Sequence, residues 1–570
     1  MLRFKNPYSD FLVLCLFTAI FACKSGSVDP PVVPPVIIID APNEVPDLPF
    51  GSWSSKSITM PSVYEDVLQA TGIKSVDITI NFSKHFTKVS KYIFGNNANC
   101  YTGWMQNDGA LMHKINALNM GVMRIPGGSI SDVFFWNRKG IYDNYTLKSY
   151  DPPLIDIPLT ITPWIGYRQY DFENWSMGID QYYEMMQQTS TTGLVTVNYG
   201  YARYGTSPNP VTEAAHLAAN WVRKDNGRSK FWEIGNEVSG SWEAGYEIDQ
   251  LLNKDSQPKI ITGDLYGKHC LVFIDSMKQA AREIGKEIFI GAVCAEAAGS
   301  AMANWNKDLI ARVGGKADFY IVHSYFTPYQ GNSTPEVILN SAQNVAGYKS
   351  YVQSELLVQG KNPAPVFLTE WNIFAEGSKQ QVSFIDGMHA SLVIGELIKN
   401  KYEVASRWDL ANGWNSGNDH GLFSSGGEPG VSNYAARPAF YYLYYFQKYF
   451  GEMMVESTST NSNVIVYASK FSGGEGGIVL VNKSVVSQIL EINIKNFNPG
   501  NRYYTYTLTG GSDNGEFSRK VYVNGITTTA EGGGPENFES IKPKSSMING
   551  NIKLTLPKYS VVHLLVDLKH

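Results

Sequence analysis

The sequence predicts a (β/α)8 TIM barrel followed by a C-terminal antiparallel β-sandwich, on three observations. Between about Val76 and Phe450, eight short apolar segments alternate with longer amphipathic ones, the pattern of repeated βα units. Two of these segments, Phe231-Trp232-Glu233-Ile234-Gly235-Asn236-Glu237 and Val366-Phe367-Leu368-Thr369-Glu370-Trp371-Asn372, run apolar and then end in a polar tip. That suits a parallel barrel strand, covered on both faces and open to solvent at its carboxyl end. After about Gly451 the pattern changes to short strands broken by Gly, Asn and Ser turns.

Taken in order, residues 1–22 read as a signal peptide: Arg3 and Lys5 precede an apolar run from Phe11 to Ala22 that is too short to span a membrane. Ile20-Phe21-Ala22-Cys23 resembles a bacterial lipobox, which implies lipidation of Cys23 and an outer-membrane-anchored lipoprotein, periplasmic or at the cell surface. Residues 23–75 form a tether and N-terminal segment, Pro-rich from Lys24 to Leu48. Residues 76–450 are assigned to the barrel, with strands at Tyr92 to Gly95, Gly121 to Ile125, Leu194 to Asn198, Phe231 to Gly235, Ile288 to Ala292, Phe319 to His323, Val366 to Thr369 and Ala405 to Asp409. Helices are expected over Thr212 to Arg223, Leu271 to Ile284 and Gln380 to Lys399, the first two closing on C-cap residues.

Residues 451–570 are assigned to the sandwich, with strands at Val464 to Ser469, Gly477 to Val481, Leu490 to Ile494, Tyr503 to Thr509, Ile552 to Leu556 and Val561 to Val566. The early strand Ser75 to Phe82 is a candidate to join it. Gly532-Gly533-Gly534 has no strand before it and no helix pattern after it, so it reads as a loop.

Composition narrows the function. At 570 residues, 43% hydrophobic and 17% charged, the chain buries a large core and holds more than one domain. A net charge of -5 gives no basic footprint, which argues against nucleic acid as a partner. Without the signal, Cys23, Cys100, Cys270 and Cys294 remain, so at most one disulfide forms if Cys23 is acylated. No metal-spaced His/Cys cluster or Gly-x-Ser-x-Gly elbow occurs, and no cofactor or metal is expected.

A glutamate at a strand end is, taken alone, more often ordinary turn chemistry. Two of them, one preceded by Asn236 and the other followed by Trp371, are what glycoside hydrolysis needs. The Trp-Glu-Ile-Gly-Asn-Glu and Thr-Glu-Trp-Asn strings resemble those of clan A retaining glycoside hydrolases, nearest to the α-L-arabinofuranosidase-like branch. The resemblance implies that Glu237 is the acid/base and Glu370 the nucleophile. It also implies that Met123-Arg124-Ile125-Pro126-Gly127-Gly128 ends strand two, that Asn236 contacts the sugar 2-hydroxyl and that Trp408 is a platform beneath the reacting sugar.

Reading the other strand ends adds candidates. Arg124 is placed to hydrogen-bond the nucleophile and keep it ionised. Asn96 and its neighbour Asn97 supply amides for sugar hydroxyls. Asp132 and Trp136 are assigned to the substrate floor, with packing of the turn as an equal reading. His323 and Tyr325 are placed to steady the nucleophile or touch substrate, a satisfied core histidine being as common. Glu237 must start protonated, so apolar neighbours are expected to raise its pKa. Retention requires carboxyl groups about 5 to 5.5 Å apart.

The expected partner is therefore a carbohydrate, polysaccharide or oligosaccharide, with the membrane reached only through the lipid. The insertion from Tyr142 to Gln187, with Trp164, Tyr167, Tyr170 and Trp175, suits a groove wall or a structural cover. An endo-acting β-glycanase of glucanase or xylanase type stays open, as does an inactive surface glycan-binding protein.

Overall fold

The computed structural model describes residues 40–143, 146–167, 176–299, 304–415, 419–529 and 532–569. The signal peptide, Cys23, most of the tether, Tyr170 and Trp175 lie outside them. Eight parallel strands form one sheet: β1 Gly95–Asn97, β2 Val122–Ile125, β3 Thr192–Val197, β4 Ser229–Ile234, β5 Phe289–Val293, β6 Phe319–Tyr325, β7 Val366–Asn372 and β8 Ser406–Arg407. Neighbours in sequence are neighbours in the sheet, β8 pairs with β1, and a Leu368–Ala405 bridge joins β7 to β8. The ring is closed.

The strands lie where the apolar segments predicted, with one shift. The first begins at Gly95, because residues 91–94 form a turn. Below it the amino end of the barrel is sealed by aromatic rings. Phe50 meets Phe231, Phe289, Phe319 and Phe367 edge-on, at centroid distances of 5.7, 4.7, 6.2 and 5.4 Å. Edge-to-face packing suits the aromatic quadrupole, so the segment following the tether supplies a plug.

Helices Pro210–Asp225, Gly263–Glu283 and Phe384–Lys399 clad the ring where the amphipathic stretches placed them. Asn226, in the left-handed region, ends the first. Among the described residues no helix is long and apolar enough to cross a membrane. Cys100, Cys270 and Cys294 are buried thiols.

The second core lies within a curled eleven-stranded sheet. Strand Val76–Lys88 runs through it, antiparallel to Met453–Ser459 but parallel to Gln488–Lys495. The sheet is thus mixed rather than wholly antiparallel, and residues 76–88 belong to this layer, the place for which Ser75 to Phe82 was a candidate, although the barrel range was drawn to begin at residue 76. Met453–Ser459 and Gln488–Lys495 run in opposite directions, so a strand inserted between them lies parallel to one of the two. Alternating Val76, Ile78, Ile80 and Phe82 point inward onto Leu480, Leu490, Leu564 and Val566.

The insertion after β2 forms a small sheet from Phe134–Asp143, Thr146–Asp151 and Trp164–Tyr167. Its Leu154, Ile157 and Ile161 pack on Phe135, Tyr204 and Ile248, which ties it to the loop following β4.

Candidate active site

The carboxyl ends of the strands converge on Arg124, which is buried and donates to four acceptors. Nε reaches Glu233 Oε2 at 2.6 Å, Nη1 reaches Glu370 Oε1 at 2.7 Å and Asn97 Oδ1 at 2.9 Å, and Nη2 reaches Asn236 Oδ1 at 2.9 Å. One planar fork therefore ties β2 to β1, β4 and β7. Burial alone would lower the guanidinium pKa, but the Glu233 and Glu370 carboxylates outweigh it and the net shift is upward.

Glu370 is held at both oxygens, because the Tyr325 hydroxyl donates to Oε2 at 3.0 Å. Tyr325 is itself stacked on Phe374 at a centroid distance of 4.1 Å. His323 stands between the two glutamates. Its Nδ1 lies 3.0 Å from Glu237 Oε1 and 3.8 Å from Glu370 Oε1, while Nε2 lies 3.1 Å from Thr369 Oγ1. The second oxygen of Glu237 accepts from Trp242 Nε1 at 2.8 Å. One oxygen of each glutamate and the histidine nitrogen all lie within 4.8 Å of one another.

Three donor atoms so spaced are enough in number for a metal ion. Arg124 already occupies the same Glu370 oxygen, and its fixed positive charge opposes a second cation there.

The protonation pattern departs from the sequence expectation. Burial pushes the Glu237 pKa up, but the hydrogen bond and charge of His323, the Trp242 N–H and Arg124 push it further down, and the net shift is downward. The expected upward push from burial is present, but the polar partners outweigh it. Burial would lower the His323 pKa, but Glu370 and Glu237 raise it overall. An ionised Glu237 only accepts, so His323 Nδ1 carries the proton that faces it.

Several candidates meet in this site: Glu237, Glu370, Arg124, Asn236, His323 and Tyr325. Trp408 is half-buried beside them, and a Cβ on Gly128 would sit 2.5 Å from its ring, so the Gly127-Gly128 turn is the surface on which the indole rests. Asn236 is engaged at both ends of its amide, accepting from Arg124 and donating to Glu243 Oε1 at 2.8 Å.

Three candidates are placed otherwise. Asn96 faces out of the barrel wall, its Nδ2 against Met120 Sδ at 3.5 Å, because neighbouring strand residues point to opposite faces. Asn97 takes the inward position, and its Nδ2 donates to the Thr369 carbonyl at 3.0 Å. Trp136 stacks on Trp221 at 6.0 Å and donates to the Leu217 carbonyl at 3.0 Å, so it packs the helix cladding. Asp132 is buried, accepting from the backbone N–H groups of Tyr199, Gly200 and Asn236 at 3.1, 3.2 and 3.1 Å. It pins the turns after β3 and β4 instead of lining a substrate floor. Burial raises its pKa to about 7 against those donors.

Glu233, Trp242 and Glu243 were not singled out from the sequence. Glu233 carried a signal, since it lies two residues after the inward Phe231 on the same strand and shares its face. Glu243 sits in a loop with no periodicity to place it. It is buried, accepts from Asn236 and from the Ser129 hydroxyl at 2.8 Å each, and burial with the Asp132 charge lifts its pKa to about 8.

No family model matches the chain, and no curated protein matches it in sequence. Solved structures do share its fold. An α-L-arabinofuranosidase from Thermotoga maritima, in complex with arabinose, aligns over 87% of this chain and 100% of its own at a TM-score of 0.62 and 18% identity. An arabinofuranosidase from Xanthomonas axonopodis pv. citri aligns over 87% and 100% at 0.61 and 13%. A xyloglucanase of glycoside hydrolase family 44 from Paenibacillus polymyxa aligns over 87% and 100% at 0.55 and 13%. At these identities the likeness establishes the architecture, a (β/α)8 barrel with a β-rich domain, as the resemblance to clan A glycoside hydrolases implied.

Proposed function

We propose that the protein is a retaining glycoside hydrolase in which Glu370 attacks the anomeric carbon and Glu237 serves as acid and then base. The observation that carries this reading is the facing pair of glutamates, with oxygens within 4.8 Å across His323 and one of them fixed by Arg124 and Tyr325. A gap of that order supports retention, which uses carboxyl groups about 5–5.5 Å apart, over inversion, which uses about 6.5–9.5 Å.

Attack forms a bond from Glu370 to the anomeric carbon as the bond to the leaving oxygen breaks, and Glu237 delivers a proton to that oxygen. Water then adds to the anomeric carbon, Glu237 takes its proton, and Glu370 departs. Glu237 is ionised in the free protein, so its proton must come from a neighbour. His323, at 3.0 Å, is the source in its imidazolium form, which keeps the Nε2 proton and becomes neutral. A sugar that displaces water disfavours the charged pair, and the proton then moves from His323 Nδ1 to Glu237.

An arabinofuranoside is the leading substrate, supported by the fold shared with arabinofuranosidases. A β-glycan cleaved internally is the second reading, favoured by the fold shared with the xyloglucanase. The leader and the lipobox-like string support lipidation at Cys23 and a lipoprotein anchored at the outer membrane, periplasmic or at the cell surface. Sugar release from a panel of plant, algal and microbial polysaccharides tests the reading. Release by the wild type that Glu237→Gln and Glu370→Gln both lose is the expected result; binding without release by any form supports a glycan-binding protein instead.

A further inference from the structure

The strand end that carries Glu237 is gripped by its own loop. Consecutive residues Asn236 and Glu237 are met, further along the loop, by consecutive residues Glu243 and Trp242: Asn236 Nδ2 donates to Glu243 Oε1 at 2.8 Å, and Trp242 Nε1 donates to Glu237 Oε2 at 2.8 Å. The same Glu243 oxygen accepts from the Ser129 hydroxyl at 2.8 Å, which ties the grip to the Gly127-Gly128 turn beneath Trp408. Glu243 Oε2 has no partner among the described residues, so one oxygen does the holding. Burial and the Asp132 charge keep the acid protonated below about pH 8, and Oε1 then serves as a carbonyl acceptor.

Asn236 is left with one open valence. Its Oδ1 accepts from Arg124 Nη2 at 2.9 Å and one amide hydrogen goes to Glu243, but the second amide hydrogen has no acceptor among the described residues, although the residue is only 2% exposed. A buried donor without a partner is costly. This one stands on the residue beside Glu237, where a bound sugar can supply the acceptor.

We infer that Glu243 is a positioning residue for the reaction: with Arg124 it locks the planar Asn236 amide so that the remaining N–H is aimed at the hydroxyl on C2 of the reacting sugar. The inference rests on the proposed function, because C2 lies beside Asn236 only if Glu237 and Glu370 flank the anomeric carbon. A hydrogen bond to the 2-hydroxyl strengthens in the oxocarbenium-like transition state, so its aim bears on rate more than on ground-state binding. Without Glu243 the amide is held at its oxygen alone and can swing about that contact.

Substrates that differ only at C2 isolate this role. The 4-nitrophenyl glycosides of α-L-arabinofuranose, β-D-xylose and β-D-glucose are each compared with the 2-deoxy counterpart, and the ratio of kcat/KM for parent over deoxy substrate is measured. Glu243→Ala is expected to lower that ratio about tenfold, through kcat for the parent, with the deoxy substrate little changed. Glu243→Gln keeps an accepting carbonyl in the same place and should hold the ratio within about threefold of wild type. Asn236→Ala should lower the ratio at least as far as Glu243→Ala, and the double variant no further than Asn236→Ala, because one residue acts through the other. The ratio is internal to each preparation, so partial misfolding does not move it. An unchanged ratio in Glu243→Ala, or a double variant whose loss is the product of the two single losses, overturns the positioning role alone; a wild type inert toward every pair overturns the hydrolase reading beneath it.

Discussion

The two ends of the barrel are built from the same strands by opposite rules. On β4 the inward face passes from Phe231 to Glu233 in two residues, and on β6 it passes from Phe319 to His323 and Tyr325. The amino end is a dry cluster of five phenylalanines that gains its stability from burial and ring packing. The carboxyl end buries Arg124, Glu233, Glu243, Asp132 and Glu370, groups whose desolvation is repaid only through mutual hydrogen bonds. One end holds the ring shut, and the other uses that rigidity to keep charges in place.

This contrast predicts a crossover between stability and activity. Glu370→Gln should lower kcat/KM by roughly 10^4-fold or more, since the nucleophile is lost, while the urea midpoint shifts little, because the amide oxygen still accepts from Arg124 and Glu233 still neutralises it. Phe50→Ala should do the reverse. It leaves a cavity among four rings and should cost about 3–5 kcal/mol in urea unfolding, with kcat/KM of the folded fraction within about threefold of wild type. A large activity loss in Phe50→Ala with an unchanged pH profile would show that the plug and the site are not separable.

A smaller effect sharpens the boundary between wall and site. Asn97→Ala removes a partner of Arg124 and should lower kcat/KM by about 10–100-fold. Asn96→Ala, one residue away and facing out of the barrel, should change it by less than about threefold. Equal losses would mean that the alternation of side chains does not divide these two positions.

The smallest effect is a pH dependence. The Glu243 pKa is raised on folding to about 8, so its contribution to stability is full below the unfolded value near 4.5 and is lost as pH rises through about 8. Asp132, raised to about 7, acts in the same direction. Glu243→Gln cannot ionise, so its Tm should fall less between pH 6 and pH 9 than that of the wild type. A parallel fall in both proteins would show that Glu243 is not a buried neutral acid.

Much of this was legible in the residues. Parallel strands buried on both faces read as apolar runs, which is why all eight were located, and the two polar tips marked the carboxyl end. Side-chain direction was harder. Asn96 and Asn97 both follow Gly95, and only the register Asn97↔Arg124 decides which one faces in. Trp136 resembled a sugar platform in sequence, yet its surroundings depend on Trp221, 85 positions away. Glu243 and Trp242 lie in a loop whose shape comes from packing against the insertion, and no local pattern encodes that. The Glu237 pKa direction depended on His323, which lies on another strand.

The central claim is the division of labour between Glu370 and Glu237, and azide rescue tests it most directly. Glu237→Ala and Glu370→Ala are each given an aryl glycoside that the wild type cleaves, with sodium azide, and the glycosyl azide is analysed by NMR. Loss of the acid/base leaves room for azide to attack the glycosyl-enzyme, so Glu237→Ala should give the azide with the substrate's anomeric configuration. Glu370→Ala should give the inverted azide by direct displacement. Inverted product from Glu237→Ala, or retained product from Glu370→Ala, would contradict the assignment.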